Sequence, residues 1–125
     1  MPIKPTISIV DDDALVREAI RRLIKSVGMN ARDYASAEDF LSSNHAQDTS
    51  CLILDVQMPG MSGLELQQRL ADRGYRIPII FISAHSNGQI RDQAIGAGAV
   101  DFLFKPFSEE ALVDALHAAL STPIP

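Results

Sequence analysis

Short apolar segments alternate with longer amphipathic segments along most of the chain. Branched and aromatic residues dominate the short segments, and the longer segments carry apolar residues at helical spacing. This alternation is typical of repeated strand–helix units with a parallel sheet, because strands covered on both faces become continuously apolar. The second of five predicted strands has the weakest pattern. The predicted strands are residues 7–10, 31–35, 51–54, 79–82 and 100–104.

Helical spacing and helix-boundary residues predict a helix after each strand. Apolar residues recur at helical spacing from Val16 to Val27, and Gly28 follows as a stop. Ser62 and Glu65 have the spacing of a capping box, which predicts the start of the third helix. Five such units in ~120 residues fit an open, doubly wound α/β sheet, since a (β/α)₈ barrel needs ~250 residues. The remaining predicted boundaries are helix starts at Ser36 and Ser108 and helix ends at Gly74 and Gly98.

The composition agrees with one domain that has a substantial core. Of the 125 residues, 46% are hydrophobic and 22% are charged, which allows extensive burial of side chains. The chain length favours a single domain, with an ordered core expected over residues 6–120 and a tail or linker stub at residues 121–125. The formal net charge of -5 argues against a surface that binds nucleic acid, because such surfaces carry clustered Lys and Arg.

Cysteine usage and hydropathy both favour the cytoplasm. Cys51 is the only cysteine, so no internal disulfide can form, and its apolar neighbours predict a buried, unreactive thiol. No apolar segment approaches the ~20 residues of a membrane span, and residues 1–5 lack the apolar stretch of a signal peptide. The sequence therefore predicts a soluble, cytoplasmic protein without membrane contact.

Polar residues that can carry chemistry follow four of the five predicted strands. Asp11 and Asp12 follow the first strand, Asp55 the third, Ser83 the fourth and Lys105 the fifth. The carboxyl ends of parallel strands meet at one edge of the sheet, so these side chains are expected to converge. Converging carboxylates repel and raise a carboxyl pKa unless a cation neutralises them. Oxygen ligands without His or Cys favour Mg²⁺, with Mn²⁺ as the alternative.

This set of groups suits phosphoryl transfer to a carboxylate. Asp55 can act as a nucleophile that forms an aspartyl phosphate. Lys105 can supply a positive charge for the phosphoryl oxygens, and Ser83 can supply a hydroxyl donor. Each residue alone also has an ordinary structural interpretation, since a strand-end Asp often caps a helix and a Lys before Pro is often solvated. That interpretation is kept for Asp13 at the first N-cap position, whereas the joint placement of the other groups favours a site.

Four stretches of the sequence form a specific pattern when taken in order. They are residues 9–13 (IVDDD), 54–63 (LDVQMPGMSG), 81–84 (FISA) and 97–107 (AGAVDFLFKPF). In this order and separation they resemble the receiver domains of bacterial two-component response regulators, and the pattern is most like that of the FixJ-like subgroup. The resemblance covers almost the whole chain. It implies a CheY-like, flavodoxin-like fold with strand order 2-1-3-4-5 and five helices.

The resemblance assigns roles to the residues at the strand ends. It implies that Asp12 binds Mg²⁺ directly, that Asp11 assists through water, and that Gln57 offers its backbone carbonyl to the metal. It also implies that Asp55 both binds the metal and accepts the phosphoryl group. The protein would then be a phosphoprotein and a regulatory switch, which catalyses its own phosphoryl transfer and dephosphorylation but is not an enzyme in the ordinary sense.

A conformational switch is a further implication of the resemblance. Ser83 would move to bond the phosphoryl group, Lys105 would pair with that group, and the peptide between Lys105 and Pro106 would be cis, which X–Pro bonds tolerate. Phe102 falls at the aromatic switch position, where a plain core aromatic is an equally good interpretation. His85 falls at a variable position near the site, where a solvated loop histidine is the ordinary interpretation.

The implied partner is a sensor histidine kinase, because no histidine of this chain has the context of a phosphodonor. A phosphorylation-dependent homodimer through the fourth helix and fifth strand is also implied. Transcription through a DNA-binding domain outside this sequence is the hypothesis for the output, since this domain itself is not expected to bind nucleic acid. Candidate residues of the dimer or partner surface are Gln89, Arg91, Asp92, Gln93 and Asp101.

Three other functional classes compete with this interpretation. A phosphatase of the haloacid dehalogenase type also uses an Asp nucleophile and Mg²⁺, but it needs a second acid where Gln57 stands. A nucleotide-binding module is disfavoured, because the first strand leads into acids rather than into a glycine-rich loop. An unphosphorylated interaction module with the receiver fold stays open, and phosphorylation of Asp55 distinguishes it.

Overall fold

A helix follows each predicted strand in the structure, a computed structural model that describes residues 4–84 and 88–121. The strands are β1 (Thr6–Val10), β2 (Asn30–Tyr34), β3 (Cys51–Asp55), β4 (Ile79–Ser83) and β5 (Asp101–Phe104). The α-helices are α1 (Ala14–Ser26), α2 (Ala37–Ser42), α3 (Gly63–Asp72), α4 (Gly88–Gly96) and α5 (Glu109–Ser121). All strand pairs are parallel, and the order in the sheet is β2-β1-β3-β4-β5. The predicted doubly wound fold and its strand order are therefore confirmed.

Most predicted boundaries lie within two residues of the observed ones, and the differences have local causes. β2 begins one residue earlier than predicted, at Asn30, whose N–H already donates to the Pro5 carbonyl at 3.0 Å. α4 ends at Gly96, and Gly98 adopts the left-handed φ of 106° that commonly follows a helix end. A short 3₁₀ helix at Ala46–Asp48 is not among the predicted elements.

Two of the predicted helix starts are formed by side-chain caps. Asp13 Oδ1 accepts from the backbone N–H groups of Leu15 and Val16, at 2.9 and 3.4 Å. Ser62 and Glu65 form the predicted capping box at the start of α3. These bonds satisfy N–H groups that the first turn of a helix leaves unpaired. The N-cap interpretation of Asp13 is therefore confirmed.

Apolar side chains cover both faces of the sheet. On one face, isoleucines such as Ile9 and Ile53 pack against α1 and α5, through residues such as Leu116. On the other face, Leu54 and Phe81 pack against α2, α3 and α4. Every residue of β3 and β4 is buried, whereas the residues of the edge strand β2 are exposed or half-buried. This difference explains why β2 has the weakest apolar pattern.

The apolar core encloses the cysteine. Cys51 is buried on β3, and burial raises the pKa of its thiol to about 12, which agrees with the prediction of an unreactive side chain.

Over residues 4–84 and 88–121, no helix has the length and apolar character that a membrane crossing requires.

One polar network in the structure joins hydroxyl groups of β1 to the segment before β3. Ser8 Oγ on β1 lies 2.7 Å from Thr49 Oγ1, and the Thr49 hydroxyl donates to the His45 carbonyl at 2.9 Å. The Tyr34 hydroxyl and His45 Nδ1 are 2.7 Å apart, which extends the network to β2. His45, to which the sequence assigns no role, thus links the edge strand to the segment before β3.

Candidate functional site

Two acidic residues follow the carboxyl end of β1, and hydrogen bonds fix the backbone and side chain of the first. Asp11 is fully buried, whereas Asp12 is exposed. The N–H of Asp11 donates to the Tyr34 carbonyl at 3.2 Å, and Arg17 Nη1 donates to the Asp11 carbonyl at 2.7 Å. Asp11 Oδ1 accepts from the N–H of Asp13 at 2.9 Å. Backbone and side chain of Asp11 are therefore fixed before any ligand binds.

Asp55 is the last residue of β3, and only 5% of it is exposed. The N–H of the following Val56 donates to the Ile82 carbonyl at 3.0 Å, and the N–H of Gly63 donates to the Val56 carbonyl at 2.9 Å. A side chain at position 63 would clash with the Asp55 carbonyl oxygen, so glycine allows α3 to begin directly against the strand end. This packing sets the direction in which the chain leaves Asp55.

Lys105 reaches both acidic strand ends from the end of β5. Its backbone N–H donates to the Ser83 carbonyl at 2.7 Å, which keeps it beside β4. Its Nζ lies 2.9 Å from Asp11 Oδ2 and 3.7 Å from Asp55 Oδ1. The peptide between Lys105 and Pro106 is cis in the structure. The structure therefore brings together Asp11, Asp55 and Lys105, as the pattern of strand ends predicts.

Negative charge exceeds positive charge at this edge of the sheet. Burial, together with repulsion by Asp11 and Asp12, raises the pKa of Asp55 to about 7, although Lys105 acts to lower it. Burial by itself would lower the pKa of Lys105, but the hydrogen bond and charge of Asp11, together with the charge of Asp55, raise that pKa overall. Because one ammonium faces several carboxylates, a further cation is electrostatically favoured here.

The acidic groups have the chemistry and spacing of a site for a hard divalent ion. Asp11, Asp12 and Asp55 each offer one carboxylate oxygen, and these oxygens all lie within 4.8 Å of one another. An oxygen-only donor set of this kind fits Mg²⁺ or Mn²⁺. Gln57, the expected backbone ligand, stands two residues beyond Asp55 and is exposed. The residues present therefore fit the ion that the sequence suggests.

The predicted switch residues lie at the same edge or in the core beside it. Ser83 is the last residue of β4, is 2% exposed and pairs in register with Phe104. Phe102 is buried, with its ring centroid 6.0 Å from Phe81 and 5.2 Å from Phe104. Its surroundings are those of a core aromatic in this conformation. His85 lies outside the described residues.

Most of the candidate surface residues on α4 and β5 are exposed. Arg91 and Asp92 form an ion pair at 3.8 Å on α4. Asp101 is the exception, since it is half-buried and its Oδ1 accepts from the N–H of Phe102 at 2.7 Å. The exposed members of the set are Gln89, Arg91, Asp92 and Gln93.

Two residues beside the site are not among those predicted. Arg17 contacts the Asp11 carbonyl and places its Nε 3.3 Å from Asp33 Oδ2, so it ties α1 to β1 and β2. Glu38 Oε2 accepts from the N–H of Met61, at 3.2 Å. Both side chains belong to polar faces of helices, where the apolar periodicity predicts exposure and gives no sign of a specific partner.

Comparisons with known proteins identify the family of this chain. A family model described as "Response regulator receiver domain" matches residues 7–117. The chain is 44% identical over 116 residues to the transcriptional regulatory protein TdiR of Thauera aromatica, covering 93% of this chain and 51% of TdiR. It is 49% identical over 114 residues to the response regulator protein TodT of Pseudomonas putida, covering 91% of this chain and 50% of TodT. The chain thus spans about half the length of both relatives.

A solved structure agrees with the subgroup as well as the fold. The crystal structure of FixJ-N superimposes with a TM-score of 0.87 at 34% identity, covering 99% of both chains. Receiver domains are regulatory switches of two-component systems, phosphorylated by a partner histidine kinase, and they bind Mg²⁺ at an acidic pocket. The match over residues 7–117 includes every strand end described above. The chain therefore belongs to the response regulator receiver family.

Proposed function

We propose that this chain accepts a phosphoryl group on Asp55 from a sensor histidine kinase, in a reaction that requires Mg²⁺. The observation that carries the proposal is the position of Lys105 Nζ, 2.9 Å from Asp11 and 3.7 Å from Asp55. These two carboxylates cluster with that of Asp12, within 4.8 Å of one another. A carboxylate oxygen of Asp55 forms a bond to phosphorus, and the bond from phosphorus to the kinase histidine nitrogen breaks. In the reverse direction of the switch, water attacks phosphorus, and inorganic phosphate and the free carboxylate result.

Different members of the acidic cluster have different tasks in this proposal. Bound Mg²⁺, or Mn²⁺ in its place, neutralises the carboxylates and the phosphoryl oxygens. Asp12 is exposed at the cluster, which supports a direct bond to the metal. Both carboxylate oxygens of Asp11 already accept hydrogen bonds, from Asp13 and Lys105, which supports a role through water. Asp55 and the backbone carbonyl of Gln57 complete the protein ligands.

Lys105 and Ser83 respond to the new phosphoryl group. The group adds a charge of about -1.5 to -2 and three acceptor oxygens close to both residues. Lys105 pairs with one oxygen, and the Ser83 hydroxyl donates to another, drawing the end of β4 towards Asp55. A change from a mostly inactive to a mostly active population requires ~5.5 kcal/mol of differential interaction, which several charge-assisted bonds can supply. Phe102 repacks between Phe81 and Phe104 as Ser83 moves.

The readout is a change in the surface formed by α4 and β5. Ile95 on α4 and Phe104 on β5 are both 37% exposed, which supports apolar contact between two phosphorylated copies. The net charge of -5 supports the absence of direct nucleic-acid binding by this domain. The phosphodonor kinase and the single buried thiol support a place in the cytoplasm. The output is transcriptional, through a DNA-binding domain beyond this sequence.

Intact-mass measurement after incubation with acetyl phosphate and Mg²⁺ tests the phosphoacceptor. The wild-type protein is expected to gain one phosphoryl group, and Asp55→Asn is expected to gain none. Asp114→Asn, which removes an exposed carboxylate from α5, is the matched control and is expected to react like the wild type. An adduct of equal yield in Asp55→Asn would refute this assignment. No adduct in the wild type, with kinase or acetyl phosphate, would favour an unphosphorylated interaction module.

Metal dependence is tested with the same adduct. EDTA is expected to abolish it, and excess Mg²⁺ to restore it. Asp12→Asn is expected to raise the Mg²⁺ concentration for half-maximal adduct formation by about 10- to 100-fold or more, because losing even a residue that only orients a ligand costs that much. An unchanged Mg²⁺ requirement in Asp12→Asn would remove this residue from the metal site and leave the role of Asp55 intact.

A further inference from the structure

The segment that carries the expected backbone ligand is fastened to α2 as well as to the sheet. This β3–α3 loop, residues 56–62, begins directly after Asp55. At its α3 end it is closed by the bond from Gly63 to the Val56 carbonyl, at 2.9 Å. In its second half, the N–H of Met61 donates to Glu38 Oε2 at 3.2 Å. The path of the loop is therefore set from two sides.

The loop is shaped to receive the Glu38 carboxylate. Gly60 has a φ of 77°, a conformation that residues with side chains rarely adopt. A Cβ at this position would collide with Glu38 Oε2, so the carboxylate occupies the space that the glycine leaves open. The donor from Met61 and the cleft at Gly60 meet the same oxygen atom. Two adjacent residues of the loop thus fit one side chain that lies 23 positions before Met61 in the chain.

The start of α2 does not need Glu38 as its cap. Ser36 already serves there, with its Oγ accepting from the N–H of Asp39 at 3.0 Å. Glu38 and Asp39 are both acidic residues of the first turn, so both interact favourably with the helix dipole. Of these two acids, only Glu38 accepts a hydrogen bond from the loop, as far as the hydrogen bonds of the described residues show. Its reach towards Met61 is therefore a separate feature of the fold.

We propose that Glu38 is a positioning residue for the metal site, which holds the β3–α3 loop so that the Gln57 carbonyl stays directed towards the ion. The inference rests on the proposed function, because it assigns Gln57 to the Mg²⁺ site. Glu38 acts through the backbone: Met61 and Gly60 are fixed by the carboxylate, and the loop between them and Asp55 has few conformations left. Without this contact, the loop must lose entropy when the metal binds, and the affinity falls.

Substitutions at Glu38 separate positioning from charge. Glu38→Ala removes the acceptor and is expected to weaken Mg²⁺ binding about fivefold, less than the ~10- to 100-fold cost of losing a direct partner of a ligand. Glu38→Gln keeps an acceptor oxygen and is expected to change the affinity by less than about twofold, since an exposed charge is screened by salt. Asp39→Asn removes the same charge one residue away and is the matched control, expected to bind like the wild type.

The measurement is a Mg²⁺ titration of the backbone amide resonances, without a phosphodonor. The amide proton of Met61 gives a second readout that does not depend on the metal. Its resonance is expected to shift in Glu38→Ala and to stay near the wild-type position in Glu38→Gln and Asp39→Asn. A Glu38→Gln variant as weak as Glu38→Ala would overturn the proposal in favour of a charge effect.

A double-mutant cycle with Gly60 tests the cleft itself. Gly60→Ala forces the Glu38 carboxylate out and is expected to weaken Mg²⁺ binding about fivefold or more. In the Glu38→Ala background the same change is expected to cost less, because the collision is already absent, and the backbone strain at position 60 cancels in the cycle. Additive effects would contradict the proposal.

The outcomes also distinguish this inference from the proposed function. Wild-type Mg²⁺ affinity in Glu38→Ala, with a shifted Met61 resonance, would overturn the role of Glu38 and leave the phosphoacceptor site intact. A wild-type protein that binds no Mg²⁺ would overturn both.

Discussion

Two buried polar clusters in this fold are built in opposite ways. Around Ser8 and Thr49, uncharged hydroxyl and carbonyl groups bond to one another, so burial leaves no net charge without compensation. Around Asp11 and Asp55, carboxylates converge on one ammonium, and the pKa of Asp55 rises to about 7. Both clusters lie beside the same strand β1. The hydrogen bonds of the first cluster stabilise the fold. The carboxylates of the second cluster repel one another, and a bound cation relieves this repulsion.

The difference indicates which cluster is functional. A neutral, fully paired network gains nothing from a ligand, because its donors and acceptors are already satisfied. A cluster with excess negative charge is stabilised whenever a cation binds. Changes in the charged cluster should therefore alter both stability and phosphoryl transfer, whereas changes in the neutral cluster should alter stability alone. Four predictions test this contrast, in order of decreasing effect.

Removing the ammonium should have the largest effect. Lys105→Met is expected to slow adduct formation from acetyl phosphate by about 10²- to 10³-fold, the usual cost of losing one preorganised charge in an active site. The initial rate is read by intact mass at saturating Mg²⁺. Lys25→Met, which removes an exposed Lys at the end of α1, is the control. A rate within about threefold of the wild type, far short of the ~10²-fold slowing expected at least, would show that Lys105 is dispensable.

The stability of the metal-free protein should fall as the pH rises. The pKa of Asp55 is about 7 in the folded state against an ordinary value of 3.8, so the folded state binds the proton more tightly than the unfolded state. The contribution of Asp55 to the stability of the protein is therefore greatest below about pH 4. It declines between about pH 4 and pH 7 and is constant above. A rise of this size in the pKa corresponds to ~4 kcal/mol, and we expect about 2 kcal/mol after screening by solvent and neighbours.

Urea unfolding at a series of pH values measures this decline, with and without Mg²⁺. Saturating Mg²⁺ is expected to flatten the curve, because the ion keeps the carboxylate charged. A metal-free profile that rises between pH 5 and pH 7.5 would contradict the electrostatic account, provided that Asp55→Asn shows the same rise.

Neutralising the acceptor should stabilise the protein. Asp55→Asn is expected to raise the free energy of unfolding by about 1 to 2 kcal/mol at pH 7.5 without Mg²⁺, because a buried like-charge repulsion disappears. At pH 5, where most of the wild-type Asp55 carries a proton, the two proteins should be nearly equal. A variant less stable than the wild type at pH 7.5 would mean that Lys105 outweighs the repulsion.

Changes in the neutral cluster should have the smallest effect, and only on stability. Thr49→Val leaves the buried Ser8 hydroxyl without its partner and is expected to cost about 1 kcal/mol. The double variant Ser8→Ala with Thr49→Val is expected to cost less than Thr49→Val alone, since no unpaired hydroxyl remains. Urea midpoints measure both, and adduct formation should match the wild type. Impaired phosphorylation in these variants would break the contrast between the clusters.

The sequence predicts the sheet and the members of the site more completely than it predicts their contacts. Continuous apolar runs identify β3 and β4, because both faces of these strands are covered, and the edge strand β2 is found less clearly for the opposite reason. The convergence of Asp11, Asp55 and Lys105 follows from their places after parallel strands. The roles of these three residues, and those of Asp12, Ser83, Phe102 and Gln57, remain predictions.

Contacts made by polar helix faces could not be predicted in the same way. Arg17 and Glu38 have ordinary positions in amphipathic helices, yet one binds the Asp11 carbonyl and the other binds Met61 in the β3–α3 loop. The link between Tyr34 and His45 likewise has no signature in residue type or spacing. Periodicity reports which face of a helix avoids water, and it says nothing of which neighbour a polar side chain meets.

The sequence by itself determined the fold class, the order of elements and the set of groups with chemical potential, because these depend on local periodicity and on the residues that end each strand. Only the tertiary structure decided that Asp11 is buried and accepts two hydrogen bonds, that Asp12 is exposed, and that the Lys105 ammonium contacts two carboxylates. Burial and Coulomb interactions depend on distances between segments far apart in the chain. Those distances are fixed only when the helices pack on the sheet.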